Sequence, residues 1–197
     1  MPRLLVVPRW AGTPRSDYYP WLVDALADAP GRPFAPVIVA DLPEPGHPRI
    51  HTWPPAIGRL LGDDPAVLAD TFVMGHSVGC QALLHALAAL PAGARVAGML
   101  AVAGWWRVDD PWPAILPWQD RLPDLARVRA TVPSLTVLLS DGDPFTGDYR
   151  ENAAQWRERL GAEVEVVPGA RHFNAAEEPA VLATLLRLAG GLRSSNV

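Results

Sequence analysis

The chain contains no lysine, and all 17 of its basic side chains are arginine. That absence removes lysine Schiff-base chemistry, a serine–lysine dyad and a phosphate loop of the G-x-x-x-x-G-K-[ST] type, each of which needs a primary amine. Together with abundant alanine, proline and glycine, the missing lysine fits genomic base bias, and the exclusions hold whatever its origin. Cysteine is almost as scarce: Cys80 stands alone, so no disulfide forms within the chain and no thiolate cluster can hold zinc. There is no HExxH and no clustered ligand spacing, so neither a metal nor another cofactor is expected. Long apolar runs are also missing. Nothing approaches the roughly 18 apolar residues of a membrane span, and the run in MPRLLVVPRW is too short for a signal peptide. The formal charge of -4 offers no basic footprint for nucleic acid. These absences predict a cytoplasmic protein acting on a small molecule, with no membrane or nucleic-acid partner and no feature that marks a protein partner.

The 197 residues suffice for one domain (1–197) with a core of its own, since 49% are hydrophobic and only 19% charged. Short β-branched apolar runs alternate with helical patterns, the signature of an α/β fold with a parallel sheet covered by helices on both faces. Strands are expected near 4–7, 36–40, 71–74, 96–102, 135–140 and 164–167. Helices are expected near 18–28, 54–61, 78–90, 149–160 and 179–188. Gly161 marks one helix stop and Pro91 another. The segment 104–133 breaks this rhythm. It carries Trp105, Trp106, Trp112 and Trp118 among prolines at 111, 113, 117 and 123, which forbid a long regular helix in its first half. The end of the chain, from about residue 193, is expected to fray.

The third strand runs directly into Gly75-His76-Ser77-Val78-Gly79, and a strongly helical stretch follows. This is G-x-S-x-G in the context that gives it meaning: strand, sharp turn, helix. Such a turn strains the backbone at the serine and projects its hydroxyl above the sheet. Side chains two residues to either side would collide with the neighbouring strand and helix, so glycine is needed there. Ser77 also begins a helix, where free N–H groups stabilise a developing oxyanion, with the Val78 amide as one donor. His76 reads as a structural histidine beside the turn, because adjacent residues there point apart. Cys80 reads as a small core residue.

A serine nucleophile needs a base, and only His85 and His172 follow Ser77 in the chain. His85 lies two helical turns on and cannot fold back. His172 lies in a loop after the last expected strand, at the carboxyl edge where the turn opens. For the acid, the fifth strand ends in Asp141-Gly142-Asp143-Pro144-Phe145. Either aspartate could reach the histidine. Pro144 stiffens the backbone at Asp143, which suits a carboxylate that must hold one imidazole tautomer, whereas Asp141 suits backbone hydrogen bonding within the loop. Asp109-Asp110 reads better as a solvated pair. A second oxyanion donor belongs in the loop after the first strand, with Trp10 as the candidate.

The ordered set resembles the retinoblastoma-binding protein 9 / YdeN family of small serine hydrolases, a branch of the α/β hydrolases without a large lid. The features carrying this resemblance are Val6-Val7-Pro8, Tyr19-Pro20-Trp21-Leu22, Asp41-Leu42-Pro43, the Gly75–Gly79 motif, Pro117-Trp118-Gln119, Ser140 to Phe145 and Arg171-His172-Phe173. The resemblance implies a three-layer αβα fold of about six mostly parallel strands and the triad Ser77, Asp143 and His172. It further implies hydrolysis of esters or amides through an acyl-enzyme. Two departures stand out: Arg9-Trp10-Ala11 replaces a glycine-rich stretch, and Arg171 replaces a glycine before the histidine.

Trp106 and Trp112 are the candidates for walls of an acyl pocket, against the alternative that the indoles close the core beneath a long loop. The competing functional class is a catalytically weak hydrolase-fold protein acting as a binding module, which the altered loop at Arg9-Trp10 favours and a complete triad opposes.

Overall fold

The computed structural model describes residues 1–194. Its strands are β1 (Arg3–Val7), β2 (Val37–Val39), β3 (Thr71–His76), β4 (Gly98–Val102), β5 (Leu135–Ser140) and β6 (Glu163–Val167). They form one sheet in the order β2-β1-β3-β4-β5-β6, with every neighbouring pair parallel. The strands are rich in Val, Leu and Ile because both faces of a parallel sheet are covered. Alternate residues then serve different cores. Leu5 and Val7 of β1 enter one, and Leu4 and Val6 enter the other. Each such side chain buried in full contributes about 1.5–3 kcal/mol.

The helices are α1 (Tyr19–Asp28), α2 (Trp53–Leu61), α3 (Pro65–Ala69), α4 (Val78–Ala88), α5 (Leu116–Asp120), α6 (Leu125–Thr131), α7 (Tyr149–Leu160) and α8 (Pro179–Ser194). Buried residues of α2, α4, α6 and α7 belong to one core, and those of α1 and α8 to the other. This is a three-layer αβα sandwich, the α/β-hydrolase architecture, and no large lid covers it among the described residues. The strand order reverses between β1 and β3, whose carboxyl ends therefore open a crevice, as in other open α/β sheets.

Three short helices add to the sequence reading. Asp64 caps α3 and Asp124 caps α6, each accepting from two first-turn amides. The third, α5, is a single short run between prolines 113 and 123. Conversely α4 stops at Ala88 rather than near 90, and α8 runs on to Ser194 through Gly190 and Gly191. The fraying expected from about residue 193 falls largely outside the described residues, which end within α8. Among the described residues, no helix is long and apolar enough to cross a membrane.

Candidate active site

The turn between β3 and α4 is fixed by close approach of backbones. A Cβ at Gly79 would lie 2.4 Å from the Val7 carbonyl oxygen and 2.6 Å from that of Pro8. At Gly75 it would lie 2.7 Å from the Cα and N of Cys80. Both glycines are thus needed for β1, β3 and α4 to meet. Ser77 between them has φ 55° and ψ -124°, a conformation that costs about 1–3 kcal/mol and persists where surroundings over-determine it. Here its amide donates to the Val102 carbonyl at 2.9 Å, and its own carbonyl accepts from Cys80 N at 2.9 Å.

His172 follows β6, and Asp143 follows β5. His172 Nδ1 lies 2.8 Å from Asp143 Oδ2. A carboxylate only accepts, so the proton sits on Nδ1 and the Nε2 lone pair is left for another partner. The other carboxylate oxygen, Oδ1, accepts from Phe145 N at 2.9 Å, and the Phe145 ring meets the His172 ring edge-on at 4.7 Å. Asp141 serves the loops instead. Its Oδ1 accepts from Gly169 N at 2.7 Å, tying the β5 loop to the β6 loop that carries His172. Asp109 accepts from Gly147 N. His85 packs beside Trp118, away from Ser77.

Ser77 and His172 line one cavity of about 310 Å³, together with Arg9, Trp10, Ala11, Val78, Trp105, Val108, Trp112, Ile115, Phe145 and Asn174. Ser77, His172 and Asp143 are 7, 6 and 5% exposed, so charge there is weakly screened while the cavity still reaches Ser77. A larger hollow of about 440 Å³ lies around His47–His51 and Trp118, but it lacks a nucleophile and base together.

The loop after β1 accounts for most of its amides. Pro8 has none, Arg9 N donates to Tyr19 Oη at 3.1 Å, Ala11 N to Pro45 O at 2.7 Å and Gly12 N to Arg9 O at 2.9 Å. Trp10 N–H is left without a partner among the described residues, and Trp10 borders the cavity beside Val78. The Arg9 guanidinium turns to Asp17, with bonds of 2.7 and 2.8 Å. Val78 N–H, in the first turn of α4, likewise has no intrahelical acceptor.

The tryptophans divide differently from the sequence expectation. Trp112 walls the cavity and meets Trp10 edge-to-face at 5.2 Å. Trp106 does not: it packs on Trp156 at 4.8 Å, under the guanidinium of Arg159. Ala103 has φ 48°, and the chain then passes Gly104, where a Cβ would lie 2.8 Å from Trp156, so the two indoles that follow face opposite ways. Trp105 faces the elbow, its Nε1–H donating to Ser77 Oγ at 3.4 Å. Trp105 also lines the cavity in place of Trp106, and Phe145 and Asn174 line it without having been singled out from the sequence. For Phe145 the signal was present, since it sits two residues beyond Asp143. Among the described residues, no group of three or more His, Cys, Asp or Glu side chains could hold a metal ion.

Comparison with known proteins bears on the family and the fold. The family model described as "Serine hydrolase" matches residues 4–182. Among solved structures, the ydeN gene product of B. subtilis superposes with a TM-score of 0.76 at 19% identity, covering 95% of this chain and 98% of that one. A putative YdeN-like hydrolase from Pectobacterium atrosepticum gives 0.66 at 21% identity, covering 96% and 91%. Est1E from Butyrivibrio proteoclasticus, bound to ferulic acid, gives 0.71 at 12% identity, covering 98% and 90%. No curated protein matches. The YdeN likeness read from the motifs is thus matched in the fold, and the chain belongs to the serine hydrolase family of enzymes.

Proposed function

We propose that this single-domain, cytoplasmic protein hydrolyses small esters through an acyl-enzyme, with Ser77 as nucleophile, His172 as base and Asp143 as the group that orients it. His172 Nε2 takes the Ser77 proton as Oγ attacks the substrate carbonyl carbon. The Trp10 and Val78 amides receive the oxyanion. The imidazolium then gives its proton to the leaving oxygen, and water repeats the sequence to free the acid. The observation that carries this reading is the meeting, on one cavity wall, of a strained serine, a carboxylate-held imidazole and two amides without other acceptors.

The substrate follows from the walls. Trp10, Trp105, Trp112, Val108, Ile115 and Phe145 offer apolar and aromatic surface in a cavity of about 310 Å³. That suits a compact acyl group, short-chain or aryl, better than a charged one. The fold of Est1E, which is bound to ferulic acid, supports the aryl option.

The test is hydrolysis of p-nitrophenyl acetate, butyrate and benzoate. Wild type should turn over all three, and Ser77→Ala and His172→Ala should each lose about 10⁴-fold or more in kcat. Folded wild type with no turnover would leave the binding-module reading in its place.

A further inference from the structure

His76 lies inside the motif but serves as neither the nucleophile nor the base. It is fully buried and makes two side-chain hydrogen bonds: Tyr19 Oη lies 2.7 Å from Nδ1, and the His172 carbonyl oxygen 2.8 Å from Nε2. Tyr19 Oη in turn accepts from Arg9 N at 3.1 Å. The two ends of this chain fix its polarity. A carbonyl can only accept, so His76 must carry a proton on Nε2; in the neutral ring Nδ1 is then an acceptor, and Tyr19 donates its proton to it while its oxygen accepts from Arg9 N.

The chain adds a direct link between two segments that are otherwise held separately. The loop after β1 has Ala11 at φ 58°, one residue beyond Trp10. The loop after β6 has Arg171 at φ 52° and Phe173 at φ 50°, flanking the base. Non-glycine residues in the left-handed region are strained and stay there only when neighbouring contacts hold them. Arg9 N is an anchor of the first loop, and the His172 carbonyl an anchor of the second. Both lead to one imidazole, the first through the Tyr19 hydroxyl and the second directly.

We infer that Tyr19 and His76 are positioning residues, a buried relay that holds the Trp10 amide and the His172 ring in register with Ser77. Its kinetic consequence rests on the serine-hydrolase reading above; its protonation pattern does not. The relay works only with a neutral His76. A proton on Nδ1 would face the Tyr19 oxygen and leave the tyrosine proton without an acceptor. The groups facing His76 are Tyr18 and Tyr19 at the start of α1, His172 with ring centroids 5.5 Å apart, and Arg9 from the β1 loop. Burial, followed by the neighbouring His172, pushes the His76 imidazole well below the usual histidine range, which agrees with a permanently neutral ring. The two histidines therefore hold opposite tautomers side by side, Nε2–H at His76 and Nδ1–H at His172.

Two measurements test the relay. Long-range ¹H–¹⁵N NMR of uniformly labelled wild type should show His76 with an unprotonated Nδ1 and a protonated Nε2, unchanged from pH 5.5 to 9. An Nδ1–H or doubly protonated His76 at neutral pH overturns the proposal. Kinetics on p-nitrophenyl butyrate should show Tyr19→Phe, folded, with kcat lowered about tenfold and KM within about twofold, because misplacing an oxyanion donor and a base acts on the transition state. His76→Gln, which keeps a donor for the His172 carbonyl, should retain more kcat than His76→Leu. A folded Tyr19→Phe with kcat within twofold of wild type also overturns the relay. If the variants fail to fold, the wild-type spectrum decides. The same spectrum separates this inference from the triad, since loss of the Nδ1–H tautomer at His172 counts against the triad alone.

Discussion

Two neighbouring strands end in two very different ways. β3 and β4 are paired in register, and each is followed by a residue in the left-handed region, Ser77 at φ 55° and Ala103 at φ 48°. After Ser77 the chain enters α4 at once. After Ala103 it meets no helix until Leu116. The elbow is shaped by its own glycines, whose missing side chains let β1 and α4 close in. The segment after Ala103 is shaped from outside. Gln81 holds the Trp105 carbonyl, Trp156 Nε1 the Gly104 carbonyl, and Asn152 Oδ1 the amides of Trp106 and Arg107. Gln119 Oε1 holds the Val108 amide. One region is local sterics; the other is a set of distant side chains gripping the backbone.

Substitutions at the two glycines break this comparison most sharply. Gly79→Ala drives a Cβ into the Val7 carbonyl and should cost about 4 kcal/mol or more, or prevent folding. Gly104→Ala meets the Trp156 ring, a side chain rather than backbone, and should cost about 1–3 kcal/mol in urea unfolding. Next in size, Trp106→Ala should lose about 3 kcal/mol of stability without altering the preference between acetate, butyrate and benzoate esters. Trp112→Ala should alter that preference at little cost to Tm. Asn152→Ala strips the buried Trp106 amide and the part-buried Arg107 amide of their acceptor and should cost about 1–3 kcal/mol, placing the determinant of the second region far from it in sequence. Trp105→Phe keeps a ring but removes the donor to Ser77 Oγ, and should lower kcat about fivefold with Tm nearly unchanged.

The smallest effect near neutrality is that of pH on stability. Burial lowers the imidazoles of His76 and His85, so the unfolded chain binds more protons than the folded one below the histidine range. Their contribution is complete above about pH 6.5 and is lost as pH falls below it. Glu178, whose carboxyl burial raises, acts in the opposite sense, its contribution being lost as pH rises through its raised value. Thermal unfolding from pH 8 to 5 should therefore show a Tm that falls with acid, and a flat profile would count against the buried neutral histidines.

The same contrast explains what could be read from the sequence. The six strands, the elbow and the loops bearing Asp143 and His172 follow from short-range pattern: apolar alternation, glycine spacing, and turns after strands. The single-turn helix α3 is too short for periodicity, and only its Asp64 cap announces it. Which of Trp105 and Trp106 faces Ser77 depends on Ala103 and Gly104 bending toward Trp156, 52 residues beyond Gly104, and no local pattern carries that. The tie from Asp141 to Gly169 is equally remote, 28 residues apart. His76 was legible as a buried neighbour of the elbow, but its link from Tyr19 to the His172 backbone required three elements to be placed together.

The proposed chemistry requires an activated hydroxyl at Ser77. The direct measurement is peptide mass spectrometry of the protein after reaction with a fluorophosphonate. One adduct is expected, on the peptide containing Ser77, absent from Ser77→Ala and strongly slowed in His172→Ala. An adduct on any other residue, or an unmodified Ser77 in folded wild type, would contradict it.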